Sequence, residues 1–406
     1  MIKVKAPGKL YIAGEYAVVE NGYPAVLVAL DQFVYVSIEK SASLGSIVSK
    51  QYEENSIYWR REGQELVFDN RDNPFHYILA AIKLTEEYAR SLGKVLDCYH
   101  LKIDSQLDSP DGKKYGLGSS AAVTVATVKA LCAYYDLKPT KEILFKLAAI
   151  AHFEVQGNGS LGDVAASVYG GWLAYHSLNR DWLILARQKY SLKQLLAMDW
   201  PDLSIEELTP PKDLTLLIGW TGSPASTSHL VDAVGLSKAE KQAKYQEFLK
   251  ASKSCLTNMI VGFKTNSPAE ILTQVKVNRD LLVKLASFSG LNIETPLLNT
   301  LIETATDLGG AAKTSGAGGG DCGIALLTDT NQVSTLINRW QAAGIEPLAF
   351  NIYKEWGGFL WINKHTEKMS TFLLPKNSTA LKLKPSLIKL NCWQLTYPNW
   401  PWPMSI

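Results

Sequence analysis

The chain has 406 residues, enough for two domains that each bury a core. Its 41 basic side chains against 39 acidic ones leave a net charge of +2, so no overall field draws nucleic acid or an anionic membrane, and any anion binding must be local. The five cysteines are scattered and form no C-x-x-C pair, which argues against a disulfide framework and a structural zinc site, and no apolar run approaches the ~20 residues of a membrane span.

The start, Met1-Ile2-Lys3-Val4-Lys5, has no apolar signal core, so the expectation is a cytoplasmic protein that meets neither nucleic acid nor membrane; monomer and homodimer both stay open. Short β-rich pieces follow at 2–5, 10–13, 25–29 and 33–39, broken at Pro7-Gly8 and Asn21-Gly22. A helical period over 75–92 leads to a strand at 99–103 and a polar connection over 108–114. Gly116-Leu117-Gly118-Ser119-Ser120 comes next and opens a run to Tyr135 that is apolar nearly all round, as in a helix buried within a domain. Helices at 141–155 and 163–169 flank the turn Gly157-Asn158-Gly159-Ser160-Leu161-Gly162, and a strand pair at 172–175 and 182–186 closes the first domain.

The polar, proline-bearing stretch 188–212 reads as a boundary. Beyond it lie a strand at 214–220, helices near 238–263, 269–288 and 296–307, and a third glycine loop, Ser315-Gly316-Ala317-Gly318-Gly319-Gly320-Asp321, that leads into an apolar strand at 322–327. The expected fold class is α+β with domains 1–200 and 210–363, and 364–406 is a tail to which no role is assigned.

A glycine-rich turn before a helix exposes backbone N–H groups at the positive end of the helix dipole, so the 116–120 loop can hold the polyphosphate of ATP. Ser119 and Ser120 are placed to cap the helix, and a hydroxyl there can ligate the Mg²⁺ that accompanies ATP. Alone, the loop is equally an ordinary helix start. The stretch 116–121 also satisfies the dinucleotide pattern G-x-G-x-x-A, but polar residues precede it where that fold needs a buried strand. No Gly-Lys-[Ser/Thr] follows, so it is not a Walker loop.

Two more patches add weight: Lys5-Ala6-Pro7-Gly8-Lys9-Leu10-Tyr11-Ile12-Ala13-Gly14-Glu15-Tyr16-Ala17-Val18 at the start and Thr314-Ser315-Gly316-Ala317-Gly318-Gly319-Gly320-Asp321-Cys322-Gly323 near the end. In order and spacing the three patches resemble the three motifs of the GHMP kinases over roughly residues 1–361. Within that superfamily the resemblance is closest to the bacterial-type phosphomevalonate kinases, through Asn158-Gly159-Ser160-Leu161-Gly162-Asp163, through Gly219-Trp220-Thr221-Gly222-Ser223, and through Asp321, where mevalonate kinases resemble a run of glycines.

The resemblance implies a two-domain fold with the active site in the interdomain cleft and an ATP-dependent phosphotransferase acting on phosphomevalonate, with ATP and Mg²⁺ as cofactors. It places Lys9 and Asp163 at the reacting centre and ATP on Gly116, Leu117, Gly118, Ser119, Ser120 and Ala121, with Ser120 near the metal. Lys113, Ser160, Ser315, Gly316 and Ala317 would be near the acceptor or the transferred phosphate. Mevalonate kinases supply a second metal ligand from a glutamate whose position is here His152, while Glu154 lies about 200° round the helix from it. Lys114 and Lys313 are further candidate cations, Ser223, Ser226 and Thr227 either line the acceptor pocket as substrate-binding residues or end a strand, and His229 reads as a surface residue. Mevalonate kinase activity and a non-catalytic nucleotide-binding regulator are the alternative readings.

Overall fold

In the computed structural model, which describes residues 1–50, 56–63, 65–68, 74–109, 113–222 and 242–354, a long antiparallel ribbon organises the larger sheet. Its strands are β1 (Ile2–Ala13) and β2 (Pro24–Ser41). Pro7-Gly8, expected to break the chain, instead lies inside β1, where the register against β2 shifts between Pro7 and Lys9. Such a bulge re-aims a strand without ending it. A Cβ on Gly8 would stand 2.8 Å from Leu107 and 3.1 Å from the Leu117 carbonyl oxygen, so only glycine permits this approach.

The sheet continues through β3 (Gly45–Ser49), β4 (Ile57–Glu62), β5 (Glu65–Phe68), β6 (Cys98–Ser105), β7 (Trp172–His176) and β8 (Ser204–Leu208). Among the described residues the order is β5-β4-β3-β6-β2-β7-β8, with β1 also on β2. Helices α1 (His76–Ser91), α2 (Ser119–Tyr134), α3 (Lys141–Gln156) and α4 (Gly162–Tyr169) pack together, and α2 also packs on β1 and β2. Twelve of the sixteen residues of α2 are buried, which is why it shows no polar stripe.

The strand pair expected at 172–175 and 182–186 does not form. Residues 182–186 are not a strand but part of α5 (Arg180–Lys189). Asn179 caps that helix by accepting from Trp182 N, Asp181 sits in its first turn, and Arg187 and Lys189 in its last, so capping and dipole outweigh the apolar run that suggested a strand. The true partner of β7 is β8, which lies in the stretch assigned to the boundary together with α6 (Leu192–Ala197), started by a capping box of Ser191 and Gln194. The larger sheet therefore runs on to Leu208.

The second sheet is antiparallel, in the order β10 (Ala311–Thr314), β11 (Cys322–Leu327), β9 (Thr215–Trp220) and β12 (Glu346–Leu348) among the described residues. It is flanked by α8 (Pro268–Ser289), α9 (Pro296–Asp307) and α10 (Val333–Ala342), while α7 (Gln242–Lys264) packs on α8 and on β2 and β8 of the larger sheet. Ser267 and Thr295 cap α8 and α9, each with proline at the first helical position. All described residues fall in one compact unit, Met1–Ile362. Among them no helix is long and apolar enough to cross a membrane, and Cys98, Cys132, Cys255 and Cys322 are free thiols. The tail 364–406 lies outside the described residues.

Gly14 turns the chain out of β1 at φ +99°, and a Cβ there would stand 2.6 Å from the Pro24 carbonyl oxygen and 2.7 Å from Ala25 Cα. Both neighbours are backbone and cannot yield. Gly14→Ala is expected to cost about 2 kcal/mol or more in urea unfolding; an unchanged midpoint would show that this turn is not under the constraint described.

Candidate active site

The β1 bulge, the start of α2, the start of α4 and the β10–β11 loop surround a cavity of about 490 Å³. On one side, Gly116 and Gly118 adopt left-handed φ of 79° and 76°, and Gly118 is the N-cap of α2 with no side chain capping the helix. Ser119 and Ser120 are the first helical residues and not its caps, as had been expected. Uncapped N–H groups at the positive end of a buried helix dipole are suited to an anion. The two glycines are needed for space as well. A Cβ on Gly116 would stand 2.6 Å from Asp321 Oδ2, and one on Gly118 2.9 Å from Lys9 Cε.

Lys9 is tied to the loop twice: its backbone N donates to Leu117 O at 2.9 Å and its ammonium to Gly116 O at 3.1 Å. Its side chain is buried, and burial pushes its pKa down while Asp163 and then Asp321 act against that shift. Asp163 stands in the first turn of α4, where Val164 N donates to its Oδ1 at 3.0 Å. Asp321 holds a left-handed φ of 52°, a conformation that glycine takes freely and a side chain does not, and its carbonyl accepts from Thr221 N and Oγ1, each at 3.0 Å.

The opposite wall is cross-braced. The Tyr11 hydroxyl lies 2.8 Å from Ser160 Oγ, which also accepts from Gly162 N at 3.2 Å. Burial, with Asp163 nearby, pushes the Tyr11 phenol far up, so it stays protonated. Arg180 donates to Gly159 O at 2.8 Å and also to Val19 O. Ser315 Oγ accepts from Tyr11 N at 3.0 Å and donates to Tyr11 O at 2.8 Å, and the Tyr16 hydroxyl donates to Ala317 O.

Of the residues singled out from the sequence, the cavity gathers Lys9, Asp163, Ser160, the 116–120 loop and residues 315–317. Ser315 spends its hydroxyl on the β1 backbone, so it braces the wall. Ala121 is buried in α2 behind the loop and does not line the cavity. Lys113 is exposed, with its backbone tied to Ser109, and Lys114 lines the cavity in its place. Lys313 is wholly buried and paired with Glu15, so it is no free phosphate cation. Ser223, Ser226, Thr227 and His229 lie outside the described residues.

His152 is 1% exposed with Nε2 3.3 Å from Ser120 Oγ, its ring is stacked on Tyr77, and burial pushes its pKa down. Glu154 points elsewhere, to Arg187 at 3.6 Å, so the acid does not reach this corner of the cavity. Among the described residues no group of three His, Cys, Asp or Glu side chains could hold a metal ion. A smaller cavity of about 170 Å³, floored by Val34, Phe75, Ile78 and Ile103, meets the first at Tyr77, Lys114, Ser119 and Ser120. The sequence reading did not anticipate Tyr77, which carries no motif, or Arg180. Tyr11, Tyr16 and Glu15 stood inside the first motif, and position in that motif was the signal available.

Two sequence families match the chain: GHMP kinases N terminal domain over residues 76–171 and GHMP kinases C terminal over residues 259–346. The chain belongs to the GHMP kinases. It is 37% identical to a phosphomevalonate kinase of Streptomyces sp. over 84% of this chain and 95% of that protein. A mevalonate kinase of Pyrococcus abyssi is more distant, at 28% identity over 87% of this chain and 96% of that protein. Among solved structures, the Streptococcus pneumoniae phosphomevalonate kinase in complex with phosphomevalonate and AMPPNP superposes with a TM-score of 0.77 at 35% identity, covering 87% of this chain and 100% of that one.

Because a Cβ at Gly118 would press on Lys9 and strain the loop, Gly118→Ala is expected to lower kcat/KM about 100-fold with the fold retained by circular dichroism. Activity within a few-fold of wild type would remove this contact from the catalytic geometry.

Proposed function

We propose that the protein transfers the γ-phosphoryl group of ATP to (R)-5-phosphomevalonate, giving 5-diphosphomevalonate and ADP for isoprenoid biosynthesis in the cytoplasm. The observation that carries this reading is the convergence of Lys9, Asp163, the uncapped start of α2 and the 315–317 loop on one cavity, in a chain 37% identical to a phosphomevalonate kinase. Phosphoryl transfer asks a protein chiefly to position two anions and to offset their charge.

In this reading the ATP phosphates lie along the N–H groups at the start of α2, and the smaller apolar cavity beside Tyr77 takes the nucleoside. Lys9, desolvated and held against the loop, offsets charge on the transferred group. Lys114 is the cation on the rim. Mg²⁺ is usually held by one or two protein oxygens together with phosphates and water, which suits a single hydroxyl, Ser120 Oγ, beside a neutral His152. The metal supplies further charge neutralisation on the nucleotide.

The acceptor is a phosphomonoester whose second pKa is about 6, so near neutral pH its attacking oxygen is already largely deprotonated and needs no general base. Asp163 therefore acts as an organiser. Its charge supports the protonated state of the buried Lys9, and it sits where the acceptor must be oriented.

A coupled ADP-release assay tests the substrate: phosphomevalonate should turn over, with mevalonate at least about 100-fold lower in kcat/KM. Preference for mevalonate would replace the reading. In single-turnover experiments Lys9→Met should lose about 1,000-fold and Asp163→Asn less than about 100-fold. The reverse ranking would make Asp163 a base and the acceptor a hydroxyl.

A further inference from the structure

The loop that faces the acceptor is fastened to the first motif by an ion pair that neither motif pattern explains. Glu15 and Lys313 are 3% and 0% exposed, and Glu15 Oε1 takes both the Lys313 ammonium and, at 3.3 Å, the backbone N–H of Gly316. Lys313 also donates to the carbonyl of Thr314 at the end of β10. The second carboxylate oxygen, Glu15 Oε2, is buried without a hydrogen-bond partner among the described residues, and Glu15 lines the large cavity whereas Lys313 does not. The carboxylate thus stands between the cavity and its counter-ion.

A negative charge in the wall of a site for a polyanion opposes binding unless it is neutralised, and in a buried setting that opposition is weakly screened. Lys313 supplies the neutralising charge from behind, out of reach of the ligand. The same carboxylate holds the Gly316 amide, and Ser315 Oγ and the Tyr16 hydroxyl fix the residues on either side of it. Other charges near Glu15 are Lys9 on the cavity side and, near Lys313, the thiol of Cys255, whose pKa burial pushes up.

We infer that Glu15 and Lys313 are a positioning pair for the phosphorylated acceptor: the carboxylate sets the 315–317 loop, and the lysine cancels the charge that this use of a carboxylate brings to the wall. The inference rests on the reading of the reaction given above. It separates from that reading because wild-type turnover of phosphomevalonate tests the reaction, and only the ratios among variants test the pair.

The experiment measures KM for phosphomevalonate and for ATP, kcat and thermal midpoint for Lys313→Met, Glu15→Gln and the double variant. Lys313→Met leaves an uncancelled carboxylate in the wall and should raise the acceptor KM about tenfold or more while the ATP KM moves less than about threefold. Glu15→Gln keeps an oxygen for the Gly316 amide and removes the negative charge, so its acceptor KM should rise less than that of Lys313→Met, and an equal or larger rise would overturn the inference. The double variant should bring the acceptor KM back to within about threefold.

An acceptor KM unchanged in Lys313→Met, or equal rises in both KM values, would reduce the pair to a structural tie and overturn the inference. So would a double variant with the same acceptor KM as Lys313→Met. Should Lys313→Met not fold, Lys313→Gln makes the same charge change with a donor kept and is read in the same way. Should neither single variant fold, the neutral double variant must fold and bind the acceptor within the threefold limit, and its failure overturns the inference equally.

Discussion

The site depends on the close approach of β1 to the phosphate loop at Gly8. With no Cβ at that position the strand comes near enough for Lys9 N to bond Leu117 O, and the same lysine then reaches Gly116 O with its ammonium. One residue thereby grips the loop through both backbone and side chain. On the other side of the bulge, Ser167 of α4 donates to Pro7 O at 2.8 Å, so the helix that carries Asp163 in its first turn is fastened to the same irregularity. The distances among loop, lysine and acid follow from one break in strand register, and rigid elements meeting at one point hold reacting groups better than loops do.

The charge arrangement follows a similar economy. The protein as a whole is nearly neutral, and of the two lysines that line the large cavity among the described residues, Lys9 is buried. Burial weakens the hold on the proton and at the same time strengthens every interaction the ammonium makes, since less water competes. Asp163 and Asp321 keep that balance from tipping. Asp321 does so at a backbone conformation better suited to glycine, so the chain accepts local strain to put a carboxylate against Gly116.

The parts of this arrangement that were legible in the sequence are those where the backbone itself does the chemistry. Glycines at 116, 118 and 316 mark left-handed turns whatever surrounds them, and the apolar run after Ser120 could only be a buried helix. Charge placement was less legible. Lys113 and Lys114 are neighbours in the sequence, and only the bridge between Asp108 and Lys114 decides which of them faces the cavity. Lys313 sits beside a glycine loop like a phosphate ligand, yet its partner is 298 residues away. The strand expected at 182–186 is helical because the caps and charges at the ends of α5 outweigh an apolar run, and β8, within the stretch 188–212, takes its identity from pairing with β7, which an apolar pattern does not report.

Arg180 stands outside all three motifs, yet it ties the carbonyl of Val19, at the end of the first motif's turn, to that of Gly159, ahead of the acidic helix. The two flanks of the cavity are therefore tied to each other. A lineage drifting toward a bulkier acceptor could not widen the chamber by shifting either flank alone, because the guanidinium would carry the other along. Substrate range in such a protein would change by trimming side chains inside a fixed frame, or only after the arginine itself had been lost.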